Sequence, residues 1–321
     1  MNDFVIDEIV DSSESFNGRL FPLARAEKLK REFATMFSGH LGRLKSGFYF
    51  EGEVLMVTGV SGTGKTTELE KLLREFNLSQ AILPNGAKAR FATCVLDRKG
   101  TWKDLGKDTL HAMGYPLSDK ARITQAEIGR RIRQQGELQG VVGVWYDETQ
   151  HILADKKEQA MAEVLDCFKT MVKGADWPMM LIMSGVPELT DYIPQLEQLF
   201  RKVTHVRLDD INFEADVDTV NSIVGSYALE AKLSVADELL TGDFLHRLVT
   251  AAAFRWGLVF ELVVKAVGKA LVEHSTDLKL DHFIQAWVSK TKMNAAATPF
   301  THSSYVSMFR RDAPFKASIV P

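Results

Sequence analysis

The sequence predicts an α/β fold, with a parallel sheet covered by helices on both faces, followed by a small all-α domain. The first observation is that helical segments alternate with short apolar runs rich in β-branched residues, a pattern typical of parallel sheets. These runs lie at 54–58, 91–96, 141–146, 179–183 and 203–208. The second is a change after Leu208, where the strand signal ends and residues 215–292 become helical throughout. Together they predict five parallel strands and a separate helical domain.

Helices are expected before the first strand and between the later ones. Residues 22–45 and 156–173 each place apolar side chains at helical spacing, which predicts amphipathic helices. The last residues show no such period and are expected to be extended. The predicted divisions are an N-terminal helical segment at 1–45, a sheet-containing core at 46–208, a helical domain at 209–295 and an extended tail at 296–321.

Composition and charge are ordinary for a globular protein. The formal net charge of the 321 residues is −3, so any nucleic acid must be bound by a local basic patch. Cys94 and Cys167 lack metal-binding spacing and are predicted to be reduced core residues. The acidic N-terminus does not resemble a secretory signal, and charged residues interrupt the longest apolar stretch. We therefore expect a soluble, cytoplasmic protein without a membrane span.

A phosphate-binding loop follows the first predicted strand. The segment GVSGTGKT fits the pattern G-x-x-x-x-G-K-[ST], with an apolar run before it and a helical pattern after it. Its glycines let successive backbone N–H groups point at one anion, and the helix adds its positive N-terminal end. The lysine can reach the outer phosphates of a nucleoside triphosphate, and the threonine hydroxyl can bind Mg²⁺. The predicted nucleotide-binding residues are Gly59, Val60, Ser61, Gly62, Thr63, Gly64, Lys65, Thr66 and Thr67.

Two acidic residues end the third predicted strand, in the segment VVGVWYDETQH. Asp147 can hold the Mg²⁺ together with Thr66. Glu148 can accept a proton from an attacking water as a general base. Nucleotide kinases generally lack this second acid, because they must avoid attack by water. The pair therefore favours hydrolysis over transfer of the phosphoryl group to another substrate.

Three further residues are candidates for roles in hydrolysis. Ser184 ends the fourth strand, where a polar side chain can orient the attacking water or contact the γ-phosphate. Arg201, just before the last strand, can reach a neighbouring subunit's site as an arginine finger. Arg255, in the helical domain, can fold over the phosphates as a lid arginine. Each has a simpler interpretation, as a serine in a turn or an arginine with an exposed head group.

Basic residues are concentrated in two local clusters, one after the second strand and one on a predicted helix. The candidates for nucleic-acid contact are Arg98, Lys99 and Lys103 in the first cluster and Arg130, Arg131 and Arg133 in the second. Charge runs are also typical of solvated helix faces, so neither cluster is preferred. Because no segment resembles a base-reading helix, we expect contact with the phosphate backbone of duplex DNA and little sequence preference.

The phosphate-binding loop, the Asp147–Glu148 pair, Ser184 and Arg201 together resemble those of AAA+ ATPases with a helical lid. Finer motifs resemble the TniB/TnsC family of transposition ATPases, related more distantly to MuB, over nearly the whole chain. They are GVSGTGKTT, DETQHIL at 147–153, SGVPEL at 184–189, LDHFIQAW at 280–287 and TPF at 298–300. The last differs from the family pattern, because Thr298 stands where the family has an asparagine.

This resemblance implies a regulator of transposition rather than a recombinase. Proteins of this family bind ATP and Mg²⁺ and form homo-oligomers on duplex DNA. They recruit or activate a DDE transposase of the TniA/TnsB type, and a TniQ-like targeting protein is a further implied partner. Hydrolysis then disassembles or redistributes the oligomer. The resemblance also implies that 46–208 is a P-loop AAA+ core and that 209–295 is its lid.

Two alternatives from other classes remain open on the sequence. A signalling or chaperone-like AAA+ ATPase would use its lid and tail to bind protein only and would not act on DNA. A phosphotransferase is the other, and both Glu148 and the lack of a second substrate-binding motif argue against it. The basic clusters and the family resemblance are the features that favour a DNA-bound assembly over a protein-only ATPase.

Overall fold

The computed structural model describes residues 21–118, 123–154, 156–192, 194, 202–312 and 314–315. The chain divides into two compact units. The core unit comprises Ala24–Ser61 and Lys65–Leu208. The helical unit consists chiefly of the residues from Asp209 onward, together with Gly62–Gly64.

The core unit contains the five predicted strands, and its sheet is parallel throughout. Its elements are α1 Ala24–Ser46, β1 Val54–Thr58, α2 Lys65–Leu78, β2 Arg90–Val95, α3 Trp102–Ala112, α4 Gln125–Gln139, β3 Val141–Asp147, α5 Gln150–Leu153, α6 Glu158–Val172, β4 Met180–Gly185 and β5 Val203–Arg207. The strand order is β2-β3-β4-β1-β5. The three central strands are fully buried, which explains why they appear in the sequence as continuous apolar runs. The predicted α/β fold class is therefore confirmed.

The strand order determines which side chains meet at the carboxyl edge of the sheet. Strand β4 lies between β1 and β3, and Val57 of β1 is paired with Ser184 of β4. The segments that follow β1, β3 and β4 therefore leave the sheet side by side. In open α/β sheets, ligands bind at this edge.

Helix α1 packs along α2 through an aromatic cluster. The ring centroids of Phe33 and Phe76 lie 5.1 Å apart, and those of Phe37 and Phe76 lie 4.7 Å apart. At the other end of the two helices, the Arg25 guanidinium binds the Glu68 carboxylate through Nε at 2.8 Å and Nη2 at 2.6 Å. The predicted amphipathic helix thus forms and stabilises the helix that follows the phosphate-binding loop.

His40 on α1 is a buried histidine that the sequence did not single out. Its side chain is fully buried, and neither ring nitrogen has a hydrogen-bond partner among the described residues. Burial lowers the pKa of His40 from 6.5 to about 4; Arg43 adds to this effect and Glu53 opposes it. The folded protein therefore contains this histidine in its neutral form at physiological pH.

We expect His40 to make the core unit sensitive to acid. Between pH 6.5 and about 4 the unfolded chain binds a proton at this site that the folded chain does not, so stability falls as the pH falls. At about 1.4 kcal/mol per pKa unit, the loss reaches about 3 kcal/mol. Urea unfolding of His40→Leu should show a weaker loss between pH 7 and 4 than wild type, whereas exposed His111→Gln should not. An identical pH dependence for His40→Leu and wild type would contradict this assignment.

The helical unit confirms the predicted helical C-terminal region. Its elements are α7 Phe213–Glu230, β6 Ser234–Val235, α8 Gly242–Ala251, α9 Trp256–Val272, β7 Asp277–Leu278, α10 Leu280–Thr291 and α11 Tyr305–Met308. Strands β6 and β7 pair in parallel over two residues each, which the sequence did not predict. Such short strands carry too few residues for a period to be recognised.

The described part of the predicted extended tail is folded. Residues Ala295–Ala297 form a 3₁₀ turn, and α11 follows after a further turn. The Arg247 guanidinium donates to the carbonyl oxygens of Pro299 and His302 at 2.9 and 3.0 Å. Phe300 is buried beside Phe244. The expectation of an extended chain over these residues is thus corrected, because irregular backbone can be fixed by packing without any helical period.

Cys94 and Cys167 are free, buried thiols, as expected. Burial raises the pKa of each to about 12, so neither forms a thiolate readily in the folded protein. In the part of the chain that the structure describes, no helix has the length and apolar character needed to cross a membrane.

Candidate functional site

The predicted phosphate-binding loop connects β1 to α2. Residues Gly59–Gly64 form the loop, and Lys65, Thr66 and Thr67 open the helix. Gly62 and Gly64 have φ angles of +86° and +97°, which side chains rarely adopt. The glycine pattern therefore reflects a backbone curl that other residues would strain.

Lys65 folds back onto the loop that precedes it. Its side chain is 5% exposed, and Nζ donates to the carbonyl oxygens of Gly59 at 2.8 Å and Val60 at 3.3 Å. The ammonium group is thus held at the carboxyl end of β1, next to the curled backbone. A buried cation at this position suits an anionic ligand.

Thr66 and Asp147, which are 81 residues apart in sequence, are in direct contact. The Thr66 hydroxyl donates to Asp147 Oδ2 at 2.7 Å, and Asp147 is buried at the end of β3. Mg²⁺ prefers oxygen ligands and usually takes one or two carboxylates with water and phosphate oxygens. The paired hydroxyl and carboxylate fit such an ion.

Ser184, which is predicted to contact water or the γ-phosphate, lies beside Asp147. It is fully buried, donates to Asp147 Oδ1 at 2.5 Å and accepts from Trp145 Nε1 at 2.8 Å. Its hydroxyl therefore both donates a hydrogen bond to a residue of β3 and accepts one from another residue of that strand. Because β4 lies beside β3, the Ser184 hydroxyl can hold the Asp147 carboxylate in position. The Trp145 indole in turn holds the serine. In the sequence, this tryptophan could not be distinguished from the other residues of the apolar strand.

Glu148 occupies a strained turn immediately after β3. Its φ is +55°, in the left-handed region, and its backbone N–H donates to Asp147 Oδ1 at 3.0 Å. The Thr149 N–H donates to the Ser184 carbonyl at 2.9 Å, which fixes the turn to β4. The half-buried Glu148 carboxylate accepts a hydrogen bond from Gln150 Nε2. Such strain in a non-glycine residue is concentrated at functional sites.

Two predicted site residues remain, Arg201 and Arg255. Arg201 is outside the described residues. Arg255 belongs to the helical unit, where it precedes α9 and its Nη2 donates to the Arg311 carbonyl at 2.9 Å. Within that unit, a Cβ on Gly257 would lie 2.5 Å from the Gly62 carbonyl oxygen, so the first turn of α9 approaches the tip of the loop closely.

The two basic clusters differ in how closely carboxylates pair with their cations. On α4, Arg130 and Arg131 both bind the Glu127 carboxylate, whose pKa they lower to about 2, at N–O distances of 2.7–2.8 Å. The Arg133 side chain packs against Gly174, and its Nε is buried.

The loop that joins β2 to α3 contains a looser ion pair. The guanidinium of Arg98 is 3.7 Å from Asp108, and both side chains are well exposed. Lys103 follows in the first turn of α3. Lys156 Nζ donates to the Gly100 carbonyl at 2.6 Å and adds a further cation to this edge. Arg98, Lys99 and Lys103 therefore form the more accessible cluster.

Comparisons with known proteins agree with this architecture. Residues 50–193, which include the phosphate-binding loop, Asp147, Glu148 and Ser184, match the family model described as AAA domain. No curated protein matches the chain.

Solved structures with the same fold are similar over most of the chain. Cdc6p from Pyrobaculum aerophilum is 14% identical, with 89% of this chain and 71% of that chain covered and a TM-score of 0.58. ORC1 from Aeropyrum pernix, solved in complex with DNA, is 12% identical, with coverage of 88% and 69% and a TM-score of 0.62. ORC2 from Aeropyrum pernix, in ADPNP–ADP complexes, is 16% identical, with coverage of 83% and 66% and a TM-score of 0.54. The chain thus has the AAA+ P-loop fold, with a helical C-terminal region.

Proposed function

We propose that this protein is an ATP-hydrolysing, DNA-bound regulator of transposition. The observation that carries the ATPase part is the hydrogen bond between Thr66 and Asp147, with Glu148 in the adjoining strained turn. Three groups therefore meet at one edge of the sheet. They are the Thr66 hydroxyl that follows the phosphate-binding loop, the Asp147 carboxylate for Mg²⁺ and the carboxylate of Glu148. The third group favours hydrolysis, because it can take a proton from an attacking water.

The residues have distinct roles in the proposed reaction. The loop N–H groups and Lys65 bind the triphosphate, while Thr66 and Asp147 would hold Mg²⁺, which neutralises phosphate charge when bound. Glu148 accepts a proton from water as the water oxygen bonds to the γ-phosphorus. The bond from that phosphorus to the bridging oxygen breaks, which gives ADP and phosphate. Ser184 acts on this reaction through the position of Asp147.

Assembly into a homo-oligomer gives the remaining arginines their proposed roles. Arg201, outside the described residues, acts as an arginine finger towards a neighbouring subunit. Arg255, at the start of α9, acts as a lid arginine in the helical domain proposed for 209–295. ATP binding then favours the assembled state, and hydrolysis resets it.

The transposition part rests on the sequence motifs that resemble the TniB/TnsC family, including DETQHIL and SGVPEL. The proposed partners are duplex DNA and a DDE transposase, with a TniQ-like protein as a further partner. The loop cluster of Arg98, Lys99 and Lys103 supports contact with DNA phosphates, because Arg98 and Lys99 are exposed and the Arg98–Asp108 ion pair, at 3.7 Å, is looser than the pairs that Arg130 and Arg131 make with Glu127. The alternative, a protein-only ATPase, is the outcome to expect if no duplex is bound.

The DNA proposal is tested by binding of a fluorescent duplex at increasing salt, with a slowly hydrolysed ATP analogue present. Replacing Arg98, Lys99 and Lys103 together with alanine should weaken binding and reduce the salt slope by about 3, at about 0.9 for each lost phosphate contact. The matched control, Arg130→Ala with Arg131→Ala, should lose less affinity and less slope, because both guanidinium groups are already bound to the Glu127 carboxylate.

Two results would count against this assignment. Loss of binding in the control and not in the triple variant would transfer the contact to α4. No binding of duplex by wild type at low salt would favour the protein-only alternative. Electron microscopy of the same mixture should show filaments or rings along the DNA.

A further inference from the structure

A polar side chain from the helix that follows β3 lies at the carboxyl end of β4. Ser184, the residue expected to act there, is fully buried and bonded to Asp147 and Trp145. Its hydroxyl has one proton, and that proton is directed at Asp147. A second group is therefore needed if a polar side chain at this edge is to act on Glu148.

Gln150 is such a group. It begins α5, two residues after Glu148, and its Nε2 donates to the Glu148 carboxylate. Its Oε1 faces the backbone at the end of β4, where the Val186 N–H donates to it at 3.4 Å. One carboxamide thus connects the proposed base to the backbone of the neighbouring strand.

Gly185 makes room for this arrangement. A Cβ at Gly185 would lie 2.2 Å from Gln150 Oε1 and 3.4 Å from its Cδ, so a larger residue would displace the carboxamide. The backbone of Gly185 has no positive φ, so its conformation does not itself require glycine. The Gly185 carbonyl also accepts from the Gly59 N–H at 3.3 Å. The end of β4 is therefore fixed to the start of the phosphate-binding loop.

We propose that Gln150 is a positioning residue that orients the Glu148 carboxylate. Its own carboxamide is held in place by the backbone of Gly185 and Val186. The inference rests on the proposed ATPase activity. The turn at Glu148 is strained and its carboxylate is only half-buried, so the backbone alone leaves the side chain free to rotate. The hydrogen bond from Gln150 limits that freedom. A base that is displaced by about 1 Å can lose on the order of 100-fold in rate.

Gly185→Ala offers a test that leaves both polar side chains in place. The added methyl group should displace the Gln150 carboxamide without removing it, so it should have the same kinetic effect as Gln150→Ala. In the double variant the methyl group has nothing left to displace. Because the two changes act on one interaction, their effects should not add.

The experiment is phosphate release by wild type, Gln150→Ala, Gly185→Ala, the double variant and Glu148→Gln, with the exposed Gln159→Ala as control. Gln150→Ala and Gly185→Ala should each lower kcat by about 10- to 100-fold, with KM for ATP within about twofold of wild type. The double variant should be no slower than the slower single variant, and Gln159→Ala should match wild type. Thermal midpoints, measured in parallel, separate lost turnover from lost folding.

The outcomes distinguish this inference from the proposed function. A kcat for Gln150→Ala equal to or above that of wild type, with Glu148→Gln inactive, overturns the role of Gln150 and leaves the ATPase standing. Losses that multiply in the double variant overturn the link between Gly185 and Gln150. No turnover by wild type removes the proposed function, and this inference with it.

Discussion

Glu148→Gln should bind ATP with near wild-type affinity and hydrolyse it about 10²- to 10⁴-fold more slowly. Glutamine has the size of glutamate and can still accept a hydrogen bond from Gln150, so the turn after β3 should be preserved. It cannot take a proton from water. Phosphate release in single-turnover experiments, together with retention of labelled ATP, measures the two effects separately.

The matched control for this variant is Glu158→Gln, which removes an exposed carboxylate at the start of α6. It should turn over ATP at the wild-type rate. Normal turnover by Glu148→Gln would exclude Glu148 as the base, whatever its position in the turn.

Lys65→Ala should weaken ATP binding by about 30-fold or more. Removing one partner from a buried pair of charged groups typically costs about 2–5 kcal/mol, because the other charge is left without compensation. In the ATP-bound protein that other charge is a phosphate. The affinity can be measured by fluorescence anisotropy of a labelled ATP, and Arg74→Ala, on the exposed side of the same helix, is the control.

Loss of folding could imitate this result, because Lys65 also donates to the carbonyls of Gly59 and Val60. The thermal midpoint of Lys65→Ala without nucleotide therefore accompanies the binding measurement. A folded variant with unchanged affinity would show that the lysine does not bind the phosphates.

The strands could be predicted because burial on both faces requires continuous apolar runs, and such runs are rare outside a covered sheet. The phosphate-binding loop could be predicted for a different reason. Its glycines and lysine are close in sequence, so their spacing alone determines the shape of the loop. Gly62 and Gly64 do adopt positive φ. Both predictions depend on local information.

Contacts that depend on strand order could not be predicted in this way. Whether Ser184 faces a nucleotide or Asp147 depends on β4 lying beside β3, and this order is not encoded in the spacing of either segment. The contact of Gln150 with the end of β4 has the same origin. His40 was missed because a histidine on an apolar helix face carries no signal for its missing partners.

Binding of Mg²⁺ and ATP at this site can be measured directly by equilibrium retention of labelled ATP by purified wild-type protein, with Mg²⁺ present and after its removal by chelation. The loop, Lys65 and the Thr66–Asp147 pair predict about one ATP bound per chain with Mg²⁺, and much weaker retention without it. Failure to retain ATP in the presence of Mg²⁺ would show that this loop is not a nucleotide-binding site.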